Sequence, residues 1–141
     1  MNENETTGLV RQAYQNIQEG SIQAFLNSLA DEVLWQLPDM ENVPFAGKWQ
    51  GREGVRQFFS TVSAVQDVVE FVPEKYIAQG DDVVVLGRFT MRIKATNRDF
   101  SSAWAHVWTV RGDRISRFRE YVDTAVVSRA YSAAQTATNI H

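Results

Sequence analysis

Apolar and polar positions alternate along the last third of the chain in two runs that meet at Arg111-Gly112-Asp113-Arg114. In the first run, residues 103–110, Trp104, His106, Trp108 and Val110 occupy every second place, which puts them on one face of an extended strand. In the second, residues 115–123, the two parity sets differ in character: Ser116, Phe118, Glu120 and Val122 form one face, and Arg117, Arg119 and Tyr121 the other. The turn decides which set lies beside His106. A two-residue loop at Gly112-Asp113 pairs 106 with 119, whereas a three-residue loop with a glycine-type bulge pairs 106 with 120. The second register is expected, because it gathers Trp104, Trp108, Phe118 and Val122 around His106 and Glu120 and sends the arginines to the opposite face.

Upstream the period changes. Residues 6–19 carry Leu9, Val10, Ala13, Tyr14 and Ile17 at helical spacing, with Gly20 as the stop. Ser21 is placed to cap a second helix bearing Ile22, Phe25, Leu26 and Leu29. A short strand over 33–37 ends at Pro38. Residues 39–51 are rich in turn formers yet include Phe45 and Trp49, so this loop is expected to fold back over apolar surface. A third helix has Val55, Phe58, Phe59 and Val62 on its buried face. Two strands follow, over 68–78 and 83–95, turning at Gly80-Asp81-Asp82. In the second, Val83, Val85, Gly87, Phe89, Met91 and Ile93 alternate with Arg88, Thr90, Arg92 and Lys94, the mark of a sheet covered on one face. A last helix fits 124–134, and residues 1–5 and 135–141 are expected to fray. The sum is one α+β domain over 1–141: three helices in the N-terminal half covering the concave face of a curved antiparallel sheet.

Composition narrows the function classes. The chain has 141 residues, a size at which one core suffices without metal or disulfide staples. A net charge of −3 with dispersed Lys and Arg argues against a nucleic-acid partner. There is no cysteine, and His106 and His141 are the only histidines, so neither a thiol nucleophile nor a transition-metal site is expected. The longest apolar runs are too short to span a bilayer, and the start of the chain is polar and acidic, so a soluble cytoplasmic protein is the default expectation.

Several strings resemble the nuclear transport factor 2-like superfamily, and within it the ketosteroid isomerase-related, SnoaL-like group. They are Val10-Arg11-Gln12-Ala13-Tyr14 before Gly20, Leu29-Ala30-Asp31-Glu32-Val33, and Ala46-Gly47 through Gly51-Arg52-Glu53-Gly54-Val55. The last is Ala105-His106-Val107-Trp108 through Arg119-Glu120-Tyr121-Val122-Asp123. The resemblance implies a cone-shaped fold and a homodimer. The ketosteroid isomerase base position falls on Leu37 ahead of Pro38, with Asp39 displaced; the tyrosine position falls on Ala13, one place from Tyr14; and the oxyanion-hole aspartate falls on Ala105 or His106. The SnoaL-type cyclase pattern fits better, with a histidine on the penultimate strand and an acid fourteen residues later, here His106 and Glu120, although the acid is Glu where that group has Asp.

The candidate catalytic residues are therefore His106, Glu120, Asp39 and Tyr14. Each also has a plain structural reading: His106 as a satisfied core residue, Tyr14 as half core, Asp39 as turn chemistry. Glu120 can orient the His106 ring or act itself as acid or base. Trp35, Phe45, Trp49, Phe58, Phe89, Trp104, Trp108 and Phe118 are the candidate ligand wall, with Phe45 and Trp49 as lid candidates. The functional expectation is a cofactor-free isomerase or cyclase acting by proton transfer on a small hydrophobic carbonyl compound. The alternatives are a binding module with the same pocket, and a dimerisation domain whose cavity is filled by its own side chains. Arg88, Arg117, Arg119 and Tyr121 on the other sheet face suggest a dimer interface.

Overall fold

The computed structural model describes residues 1–139, with side chains through residue 134. In chain order the elements are α1 (Glu3–Gln18), α2 (Ile22–Asn27), β1 (Leu29–Gln36), β2 (Lys48–Gln50) and α3 (Gly51–Val65). Then come β3 (Gln66–Gln79), β4 (Asp82–Ile93), β5 (Arg98–Arg111), β6 (Arg114–Val122) and α4 (Thr124–Asn139). The strands form one sheet in the order β2-β1-β6-β5-β4-β3, antiparallel throughout except between β1 and β6, which run parallel. The α+β arrangement expected from the pattern, and the cone that the resemblance implies, are present, with that one parallel pair added.

Local chemistry explains where elements begin. α1 opens at Glu3, earlier than the apolar period indicates, because Asn2 and Glu5 form a reciprocal capping box over the first turn. The start of the chain is thus held by a cap where fraying was expected. Ser21 precedes α2 but makes no side-chain cap bond. β1 starts at Leu29, four residues ahead of the expected strand, and Trp49 falls on β2, paired with Trp35, within what reads as loop. The C-terminal helix continues to Asn139; the fraying expected from 135 falls on side chains outside the described residues. Among the described residues no helix is long and apolar enough to cross a membrane.

The β5–β6 hairpin pairs His106 with Glu120, the expected register, but by a different device. The loop is the tight one: Arg111 pairs with Arg114, and Gly112 has φ +63°. The shift comes one step later, between Val110 and Thr109, where Ser116 is the extra residue and donates its hydroxyl to the Thr109 carbonyl. The bulge breaks the parity, so Ile115 and Phe118, three apart, are both buried.

Gly87 is the other positional residue in the sheet. A Cβ there would collide with the Trp104 ring and the Val72 carbonyl oxygen, so only glycine lets Trp104 lie flat across the strand. Trp104 in turn stacks on His106, ring centroids 3.9 Å apart, and on Phe71, 5.0 Å apart.

Candidate active site

Three elements converge on one buried polar chain. Tyr14 reaches in from the apolar face of α1, His106 and Trp108 from β5, and Glu120 from β6. Trp108 Nε1 donates to Tyr14 Oη at 2.8 Å. Tyr14 Oη lies 2.7 Å from His106 Nδ1, and His106 Nε2 lies 3.0 Å from Glu120 Oε2. Indole can only donate, so Tyr14 receives that proton and has its own to give to Nδ1. The imidazole then carries its proton on Nε2 and donates it to the carboxylate. Every polar atom from Trp108 to Glu120 Oε2 is satisfied only with this polarity and a neutral ring.

The electrostatics agree. Burial lowers the pKa of His106, and the hydrogen bond that its ring donates to Glu120 only partly opposes it. Burial raises that of Tyr14, with the Trp108 N–H as the smaller, opposing influence. Both groups are therefore neutral at neutral pH. Glu120 is the least enclosed member: its side chain is 16% exposed against 5% for His106. Its Oε1 takes no hydrogen bond among the described residues, which leaves one carboxylate oxygen free at the end of the chain.

Glu120 belongs to the lining of a cavity of about 940 Å³ in the concave face of the sheet. Small-molecule pockets run to roughly 300–1,000 Å³, so this one is at the large end. Its walls are Trp35, Leu37, Phe45, Phe58, Phe89, Met91, Phe100, Trp108 and Phe118. Trp35 and Phe118 lie face to face with centroids 3.8 Å apart, closing the β1–β6 side. The exposed members of the lining, Gln18 on α1, Arg56, Ser60 and Ser63 on α3, and Asp67, Val68, Val69 and Glu70 on β3, mark the mouth. A concave face filled by the chain's own side chains is not what the structure holds.

The expected site residues fall into two groups. Tyr14, His106 and Glu120 come together with Trp35, Phe45, Phe58, Phe89, Trp108 and Phe118 around the cavity. Asp39 is exposed and outside the lining, beside Gly47 in the turn after β1, and Leu37 occupies the wall instead. Trp49 is half-buried behind Phe58, with its indole donating to the Phe45 carbonyl at 3.1 Å, and Trp104 lies behind His106 as packing. The lid role considered for Trp49 has no counterpart in its position. Tyr14, a candidate catalytic residue, gives its proton to His106.

Some cavity features are not visible in the alternation pattern. Phe71 on β3 lies between bulges at Val68/Glu70 and Pro73/Lys75, which scramble the strand's parity. Gln66 sits at the α3–β3 junction, where a polar residue reads as connection. Its partner Tyr131, in line with Val127 and Ala134 at helical spacing, was accessible to a periodicity argument.

The model of the SnoaL-like domain matches residues 10–118, more than half of the chain. This chain belongs to the SnoaL-like family. The match spans Tyr14, His106 and Trp108 and stops two residues short of Glu120. Solved structures agree on the fold. An NTF2-like protein from Burkholderia xenovorans LB400 is 29% identical, covering 93% of this SnoaL-like chain and 98% of its own, with a TM-score of 0.85. An NTF2-like protein of unknown function from Burkholderia pseudomallei K96243 is 26% identical over 89% of this chain and 95% of its own, TM-score 0.80. TerC, co-crystallised with polyporic acid, is 23% identical over 91% and 98%, TM-score 0.79, and at that identity attests the fold alone. No curated protein matches the chain.

Proposed function

We propose that this SnoaL-like protein is a cofactor-free isomerase- or cyclase-like enzyme that moves a proton next to a carbonyl group of a flat, hydrophobic compound. The observation that carries the reading is Glu120, a residue of the lining of a large aromatic cavity, which ends a fully partnered chain with one carboxylate oxygen, Oε1, free of hydrogen bonds among the described residues. Glu120 is the base. His106 is a positioning residue: its Nε2–H fixes one carboxylate oxygen, while Tyr14 and Trp108 fix the ring. A held carboxylate needs no rearrangement to accept a proton from a bound carbon acid.

The test is deuterium exchange into β-tetralone in deuterated buffer, followed by proton NMR. The wild type is expected to speed exchange above the buffer rate. Glu120→Gln, which keeps an acceptor for His106 Nε2–H, is expected to bind the ketone and lose the acceleration. Exchange that persists in Glu120→Gln removes Glu120 as the base. A non-catalytic binding module is the second reading, favoured by one observation: Tyr14 and both His106 nitrogens are already committed, leaving few groups for chemistry. Under it, Glu120→Gln changes affinity and nothing else.

We also propose a homodimer through the convex sheet face. Leu86 and Tyr121 stand exposed there, and no helix among the described residues covers them. Light scattering at micromolar concentration is expected to give twice the chain mass; a monomer mass contradicts it.

A further inference from the structure

Far from Glu120, a second polar group faces the same cavity. Gln66, only 7% exposed, is the residue at which α3 hands over to β3, and it pairs across the sheet with Ile93. His106 pairs with Val85, eight places away on the same strand, so the two groups are separated by roughly 25 Å of extended strand, less the curvature. Between them the lining is apolar: Phe58, Phe89, Met91 and Phe100.

The amide is held in one orientation. Tyr131, 3% exposed and packed edge-on against Phe45 and Phe100, hydrogen-bonds through its hydroxyl to Gln66 Oε1. Burial raises the pKa of this phenol, so it keeps its proton, and Oε1 is the acceptor within reach. Gln66 Nε2 is then the end left over. It has no hydrogen-bond partner among the described residues, and Gln66 is a residue of the cavity lining. A buried amide in a cavity wall, with its acceptor tied down and its donor unpartnered, is a ready hydrogen-bond donor for a ligand oxygen.

We infer that Gln66, oriented by Tyr131, forms a distal subsite that binds an acceptor oxygen on the far end of an elongated, multi-ring ligand. The inference rests on the reading that the cavity takes a small molecule, and it narrows the class: flat, longer than a single ring, with its acidic end at Glu120 and a carbonyl or ether oxygen at the other. An apolar terminus there leaves the Nε2 protons without a partner on expulsion of water, which penalises binding.

The experiment is binding, read by quenching of tryptophan fluorescence, so that it stands apart from turnover. The probes are para-hydroxybiphenyl and para-hydroxy-para-terphenyl, each carrying either an acetyl or an ethyl group at the far para position. The wild type is expected to prefer acetyl over ethyl by about three- to tenfold in at least one of the two lengths. Gln66→Leu is expected to abolish that preference. Tyr131→Phe, which keeps Gln66 and frees its carbonyl to rotate, is expected to reduce it, and it serves if the Gln66 variant does not fold. No acetyl preference in the wild type at either length, or a preference unchanged in both variants, overturns the subsite. Loss of deuterium exchange in Glu120→Gln leaves these ratios untouched, so the two readings fail separately.

Discussion

On β4, β5 and β6 neighbouring rungs of the sheet face opposite ways, and the two faces handle polar groups differently. Val85, His106 and Glu120 share one rung on the concave side; Leu86, Ala105 and Tyr121 share the next, on the convex side. On the convex side Arg92 grips Asp99 at 2.7 and 3.2 Å, with both side chains more than 40% exposed. Water can replace either partner there, so the pair contributes little. On the concave side Trp108 is fully buried, and Tyr14 and His106 nearly so. A hydrogen bond lost there is not replaced, and the group left behind bears its full desolvation cost. Equal geometry on paper therefore carries unequal free energy, and the difference is set by what could substitute for each partner.

Substitutions on both faces break or sharpen this contrast. Trp108→Ala removes the largest fully buried side chain and the donor that polarises the relay; it should cost about 4 kcal/mol of unfolding free energy, measured by urea titration. Tyr14→Phe preserves the ring packing but leaves Trp108 Nε1 and His106 Nδ1 unpartnered, and should cost about 2–3 kcal/mol in the same titration. A loss near zero would mean that water enters and repairs the chain.

The pH dependence comes next in size. The folded state depresses the pKa of His106, so at acid pH the unfolded chain binds the proton that the folded ring refuses. The stability is fully present above the unfolded pKa near 6.5 and falls as pH drops through it, by up to about 1.4 kcal/mol per pH unit. Urea midpoints taken from about pH 7.5 down to about pH 5 should fall on this slope, and His106→Gln should flatten it. Arg92→Ala, on the other face, should leave the urea midpoint almost unchanged, and any small loss should vanish in high salt.

Much of the concave wall is legible in the alternation of β4, β5 and β6, because inside and outside differ there in nearly every residue. Trp108, Phe118 and the pairing of His106 with Glu120 follow from it. What the alternation leaves open is the path. Ser116 is an ordinary strand residue, and nothing local marks it as the bulge that sets the register. Gly87 reads as one apolar place among others, although its missing side chain is what lets Trp104 back the histidine. Tyr14 could be placed on the buried face of α1, but its hydroxyl meets His106 only through packing between residues ninety-two apart. Asp39 illustrates the reverse: its nearness in sequence to a base position did not bring it to the cavity, because Asp39 is exposed while Leu37 and Met40 on either side of it line the wall. Gln66 combines both difficulties, a polar residue at a junction whose meaning depends on a helix sixty-five residues later.

The central claim is the polarity of the relay, since it is what leaves Glu120 with one free oxygen. Nitrogen NMR of the histidine ring in the wild-type protein at neutral pH tests it most directly. A neutral imidazole protonated on Nε2 is expected, with an unprotonated Nδ1 accepting from Tyr14, and a changed Nδ1 signal in Tyr14→Phe. A ring protonated on Nδ1, or on both nitrogens, would contradict it.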